Sequence, residues 1–328
     1  MDSPDPLVMR RFCRLGVLTV IAVYFLIFIG GVVRASGAGM GCPDWPTCFG
    51  QWIPPTDESQ LPANYHDIYA QRGYANTDFN AVKTWTEYLN RLAGVAIGIL
   101  ITLTAWQSRY YWRYDRIVTY LALTVFLLTG VQGWLGAAVV ASHLHPFVIT
   151  LHMLLAWLIV ALLIEAVVRS QRARSALFTD AVACARLRQV HSVLLVAMGL
   201  TLVQVMMGTQ IRESIDVVSK ASHYSGRETW REHFPLIFHI HRLFPFVLVP
   251  LNAWLAWQIW QASTAWLLRG AVLALSFWIV LAVFAGWVLE HWGMPAWAQP
   301  LHLLSANVLF GAQFFLFAVQ RLFARAEL

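Results

Sequence analysis

Residues 236–243 read Leu-Ile-Phe-His-Ile-His-Arg-Leu, and residues 85–92 read Trp-Thr-Glu-Tyr-Leu-Asn-Arg-Leu. In each, a polar pair, His241-Arg242 or Asn90-Arg91, stands at the head of an apolar run long enough to cross a bilayer, which takes about 20 residues. The two pairs are offset by 151 residues. A second correspondence lies at an offset of 150, where His152 and His302 open later apolar runs within Leu-His-Met-Leu and Leu-His-Leu-Leu. Gly133-Trp134 matches Gly286-Trp287 at 153, and Gly31-Val-Val-Arg34 loosely resembles Gly208-Thr-Gln-Ile-Arg212. Collinear matches of this kind mark a duplicated chain.

Working outward, apolar runs occur at 15–33, 88–108, 117–141, 147–168, 190–211, 236–260, 270–289 and 301–320. With 59% hydrophobic and 12% charged residues and a mean hydropathy of +0.59, the chain is too apolar for a soluble globule, and lipid is the solvent for most of it. A repeat unit of four spans returns the chain to its starting side, so the halves share one orientation. The expected fold is an all-α integral membrane protein of eight transmembrane helices, built as two similar four-helix bundles related by a pseudo-twofold axis along the membrane normal. The halves are 1–175, which carries a long loop at 35–86, and 176–328.

The formal charge of +6 does not indicate nucleic acid, because the arginines cluster at helix ends rather than in a stripe. Arg10, Arg11 and Arg14, then Arg109, Arg113 and Arg116, then Arg169, Arg172, Arg174, Arg186 and Arg188, and finally Arg321 and Arg325 all fall on one side. The positive-inside rule makes that side cytoplasmic, with both termini on it, and turns segments 35–86 and 212–235 outward. The first run reads as a retained span rather than a signal peptide, since Arg34 interrupts the would-be cleavage junction. Two of the four cysteines lie in the outward loop, in Cys42-Pro-Asp-Trp-Pro-Thr-Cys48, where an oxidising exterior permits a disulfide; two free thiols or a redox couple are the alternatives. Cys13 and Cys184 lie near the cytoplasmic face.

An ionisable side chain within a span is costly unless paired or ligated, so the span histidines are functional candidates. His241 and His302 stand at similar depth in one half and can face each other across a bundle, as two imidazoles around a haem iron do. A backbone hydrogen bond or a headgroup position is the plainer reading of each, and zinc lacks further ligands at metal spacing. His239 points to another helix face. No Cys-x-x-Cys-His occurs, so a haem here is noncovalent. The first half departs from this symmetry. Asn90 replaces the histidine, and Glu87, one turn earlier on the same face, replaces Phe238, leaving His152 and a carboxylate. An open iron position beside a carboxylate suits chemistry, whereas a saturated pair of histidines suits electron transfer; the plainer role for Glu87 is an ion pair with Arg91 or Lys83. Arg34, Arg91, Arg212 and Arg242 stand at outward span ends, placed for haem propionates or for snorkelling to the interface.

The run from Gly30 through Arg34 to Cys48, the Glu87-Tyr-Leu-Asn-Arg91 segment, Gly133-Trp-Leu-Gly136 with His152 beyond it, and the His241-Arg242 and His302 positions together resemble the haem A synthase family over nearly the whole chain. The resemblance implies haem b between His241 and His302, substrate haem O in the first half facing His152, and Glu87 as the catalytic or substrate-positioning acid. It implies oxidation of a haem O methyl group to a formyl group by successive hydroxylations, for the cofactor of cytochrome oxidase. It also matches Cys42 and Cys48 to an outward-loop cysteine pair, a bacterial inner-membrane setting, and haem O synthase and oxidase assembly factors as partners, with oligomerisation left open. Asn90 stands where the family usually has histidine; His143 or His145 at the end of span three is the candidate substitute, with a surface position as the alternative. Two rival functions are a dihaem b-type electron carrier and a haem carrier without chemistry. A duplicated solute transporter fits least.

Overall fold

The computed structural model describes residues 5–172, 185, 188–222, 225–227, 229–230 and 234–324. The expected boundary at 175/176 and Cys184, Arg174, Arg186 and Arg325 lie outside the described residues. Within them the chain is helical throughout, with no strand: α1 (Pro6–Ala35), a short α2 (Tyr65–Ile68) in the outward loop, α3 (Ala81–Ser108), α4 (Arg116–Ala141), α5 (Pro146–Ser170), α6 (His191–Ala221), α7 (Leu236–Leu243), α8 (Pro245–Ala262), α9 (Trp266–His291) and α10 (Ala298–Ala324). Eight segments, counting α7 with α8 as one, are long and apolar enough to cross a bilayer, and the chain is a multi-pass membrane protein.

Helix starts follow local chemistry. Asp5 caps α1 through the Leu7 amide with Pro6 in the first turn, Asn80 caps α3 through the Lys83 amide, and Asp115 caps α4 through the Ile117 amide. Asp115 also pairs at 2.7 Å with Arg169 in the last turn of α5, tying the two ends together. Two boundaries differ from the hydropathy reading. Helix α6 runs on to Ala221, so Arg212 lies inside a helix rather than in a loop beginning at 212; polar residues such as Glu213 and Asp216 extend the helix beyond its apolar stretch. Span six is divided at Phe244 because Pro245 cannot donate an intrahelical hydrogen bond, which sets His241 and Arg242 on a short helix of their own.

Helices α1, α3, α4 and α5 each pack on the next and close a ring, and α6, α7 with α8, α9 and α10 close a second. The rings meet where α10 packs on α1 and α5. The buried apolar core runs through both, from Val23, Ile101 and Leu163 to Leu255, Leu275 and Leu316. Large apolar side chains such as Phe246, 77% exposed, and Trp266, 81% exposed, cover the outside, as expected where lipid is the solvent. The outward loop has a core of its own, in which Phe49 meets Tyr65, Tyr69, Tyr74 and Phe79 edge-on.

Candidate functional site

Helix α3 and the outward loop together build the surroundings of Glu87. Gly41 lies so close to the first turn of α3 that a Cβ there would stand 2.4 Å from the Lys83 carbonyl oxygen, so only glycine lets the loop dock. Docking brings the Thr84 hydroxyl to the Gly41 carbonyl at 2.8 Å and the Cys42 amide to Glu87 Oε2 at 3.0 Å. Glu87 is only 4% exposed, and its Oε1 accepts from Arg91 Nε at 3.2 Å and Nη2 at 2.5 Å. Arg91 Nη1 also donates to the carbonyls of Asp44 at 2.7 Å and Thr47 at 3.0 Å. Cys42 and Cys48 are joined by a disulfide, their Cα atoms 4.9 Å apart, and Arg72 donates to the Pro43 carbonyl at 3.1 Å. Arg91 is therefore engaged as the tie between α3 and the disulfide loop, and the i, i+4 ion pair weighed for Glu87 is present. Spacing alone could not reveal this role, because the carbonyls come from residues 44 and 47 positions away.

Tyr74 braces the same loop, its hydroxyl donating to the carbonyls of Met40 and Gly41 at 3.0 and 3.1 Å. Burial, and to a lesser extent the negative charge of Glu87, pushes its phenol well above the ordinary tyrosine range.

In the second ring His241 and His302 face each other with ring centroids 6.1 Å apart. Each Nδ1 meets a backbone carbonyl, Gln204 at 3.1 Å and Ala282 at 2.8 Å. With the proton on Nδ1, Nε2 is left for a ligand bond, apart from a long 3.5 Å contact between the Gln204 amide and His241. Metal–imidazole bonds of about 2 Å place two ring centres roughly 6 Å apart across a metal, which matches the observed separation. Gly208 and Gly286 lie against the two rings, where a Cβ would come within 3.5 and 3.2 Å of Cε1. These residues fit a noncovalent haem.

The first ring repeats half of this arrangement. A Cβ at Gly136 would stand 3.6 Å from His152 Cε1, as one at Gly286 would stand against His302, an offset of 150 that agrees with the histidines. The structural counterpart of Gly286 is thus Gly136 rather than Gly133; the Gly-Trp dipeptide is a misleading match, because one turn of helix separates the two glycines. Gly30 and Arg34 likewise share the spacing of Gly208 and Arg212, an offset of 178, so Gly30 and not Gly31 is the better register. The His152 carbonyl accepts from the Gln132 amide at 3.0 Å, while His152 Nδ1 and Asn90 Oδ1 are buried without a hydrogen-bond partner. His143 and His145 are exposed and off the cavity wall, as is His239.

Glu87, Asn90, His152, His241 and His302 line one continuous cavity of about 2220 Å³ that serves both rings, and Arg34, Arg91, Arg212 and Arg242 line it as well. At the seam Arg34 donates to Asp216 Oδ1 at 2.8 Å and to the Arg212 carbonyl at 3.3 Å, with Arg212 3.5 Å from the same carboxylate. Asp216 is the site residue that the sequence reading missed; its signal was its place one turn after Arg212. Arg242 pairs with Glu290 at 2.6 Å.

A family model described as cytochrome oxidase assembly protein (COX15-CtaA) matches residues 13–314. The chain belongs to that family. Among individual relatives it is 30% identical over 157 residues to a protein of Shewanella oneidensis named heme A synthase, covering 48% of this chain and 45% of that one. Proteins of Bacillus cereus and Bacillus anthracis with the same name are 29% identical over 146 residues, 44% of this chain and 40% of theirs. The chain thus spans less than half the length of the relatives it matches. The matched region takes in Glu87, Asn90, His152, His241 and His302, which line the one cavity.

Proposed function

We propose that this protein is a haem A synthase of two repeated halves, holding haem O in the first half as substrate and haem b in the second as cofactor. The observation that carries the reading is the pairing of two unlike sites on one cavity: His241 and His302, each held by a backbone carbonyl, and His152 with Asn90 and a buried Glu87. The duplication is supported by repeat equivalents that touch. The Trp157 indole donates to Asn307 Oδ1, residues 150 apart, and Arg34 reaches Arg212, as expected of positions beside a twofold axis.

In this reading one methyl carbon of haem O is hydroxylated twice, each step adding one oxygen atom and giving up two electrons to an external oxidant such as dioxygen or a quinone, and the geminal diol loses water to leave the formyl group. Bound haem b supplies one-electron transfer to or from the first site. Glu87 is held at both oxygens, by Arg91 and by the Cys42 amide, so its carboxylate has a fixed place from which to accept a proton or to stabilise positive charge developing at the methyl carbon. His152 would bind the iron of the substrate haem, and Asn90 would offer it no second imidazole. Arg34, Arg212 and Arg242 are placed for propionates. The membrane is the bacterial inner membrane, with both termini cytoplasmic and the disulfide loop on the oxidising side. Haem O synthase and oxidase assembly factors are the proposed partners.

The test is co-expression with a haem O-producing enzyme in a host that makes no haem A, followed by extraction and mass analysis of noncovalent haems. Formyl or hydroxymethyl haem that disappears in Glu87→Ala supports the synthase reading. Haem B with unaltered haem O, from intact protein showing a bis-histidine spectrum, overturns it in favour of an electron or haem carrier.

A further inference from the structure

The shared cavity is not equally deep in the two halves. On α3 its wall reaches Thr102, whereas on α8 it stops at Pro250, the counterpart of Ile99 at the repeat offset of 151. On α4 it begins at Phe126, whereas on α9 it begins at Ile279, the counterpart of Thr129 at the offset of 150. Both helices of the first half therefore line the cavity for three further residues toward the cytoplasmic side, about 4.5 Å of helix. This extension is formed by Ile101, Phe126, Leu127 and Thr102, whose hydroxyl is taken up by the Gly98 carbonyl at 2.8 Å, and it lies below the polar groups Glu87, Asn90 and Arg91. Phe126 and Leu127 line it while remaining 41% and 67% exposed, so the extension runs out onto the lipid-facing surface.

The walls differ in bulk as well as in depth. Gly94, Gly98, Gly130 and Gly133 line the first-half cavity, and a Cβ added at any of them meets nothing within 4 Å. Their counterparts at the same two offsets are Pro245, Val249, Val280 and Val283. Four positions that are bare in one half carry side chains in the other. Glycine lowers helix stability relative to other residues, so four of them on one face at no close helix contact call for an occupant rather than a packing reason.

Resting on the synthase reading above, we propose that this groove between α3 and α4 receives the isoprenoid chain of the substrate haem. Haem O carries such a chain and haem b does not, which matches a deep, bare groove beside His152 and a shallower, filled one beside His241 and His302. The polar rim takes the porphyrin carboxylates, and the largely apolar extension takes the chain directly from the bilayer in which the substrate is dissolved. The groove thereby selects the tailed haem for the half that carries Glu87.

The test is Gly98→Val/Gly133→Val, which copies the residues of the second half into space that is open in the first. Full-length protein is purified from a host that makes haem O, and its noncovalent haems are quantified by chromatography and mass. The variant is expected to keep haem B and its bis-histidine spectrum at the wild-type level while losing haem O and its oxidised products by about tenfold or more, the scale at which displaced methylenes discriminate ligands. Tailless haem B, titrated into the first site of protein from a host without haem O, is expected to bind wild type and variant alike. Haem O retained by the variant at the wild-type level overturns the groove while leaving the synthase reading intact. Equal loss of tailless haem also overturns it, showing that the ring pocket was changed. Absence of haem O and its products from the wild type overturns both readings together.

Discussion

Replacing Arg91 by alanine removes the one side chain that joins the Glu87 carboxylate to the carbonyls of Asp44 and Thr47. Glu87 and Arg91 have side chains only 5% and 14% exposed, so the pair is shielded from bulk solvent. Breaking a buried pair by deleting one partner costs about 3–5 kcal/mol, because the remaining charge stays buried and uncompensated. That cost is expected to appear as undocking of the loop from α3 rather than unfolding of the spans, whose packing on one another uses none of these bonds. At 1.4 kcal/mol per factor of ten, hydrogen-exchange protection of the loop amides, that of Cys42 among them, is expected to fall on the order of 100- to 1000-fold. Glu87→Gln in the same background neutralises the stranded charge and is expected to restore part of the protection, with a coupling of about 1.5 kcal/mol or more between the two positions. Loop protection unchanged in Arg91→Ala, or effects additive to within about 0.5 kcal/mol, would refute the assignment of Arg91 as the tie.

His302→Ala is expected to abolish the low-spin bis-histidine absorption spectrum of the second site while haem O remains extractable from the first. Asn90→His supplies the imidazole that the first site lacks and restores the residue usual in the family, so electron paramagnetic resonance is expected to show a second low-spin signal with methyl oxidation retained. Cys42→Ser opens a closure of six residues' separation and is expected to destabilise the docked loop by about 2 kcal/mol, read by exchange or by limited proteolysis within 36–80. Tyr74 is neutral when buried and its phenol is raised by folding, so the loop's stability is constant below the ordinary tyrosine value of about 10 and declines as pH rises above it. Loop exchange that accelerates already near neutrality would contradict that sign.

The sequence by itself determined the eight spans, their common helical character and the placement of His152, His241 and His302 at span ends. Hydropathy and the spacing of repeated motifs are local or register properties, and they survive without knowledge of which helix touches which. It also exposed the break in symmetry at Glu87 and Asn90, since a repeat makes every departure from itself visible. Tertiary structure alone decided that Arg91 grips loop carbonyls, that Gly136 rather than Gly133 answers to Gly286, that Asp216 joins Arg34 to Arg212, and that the two sites open into one cavity. Each of these depends on side chains from separate helices or loops meeting at a distance of a few ångströms. Such meetings are set by how the helices pack, and helix packing leaves no periodic trace in the chain.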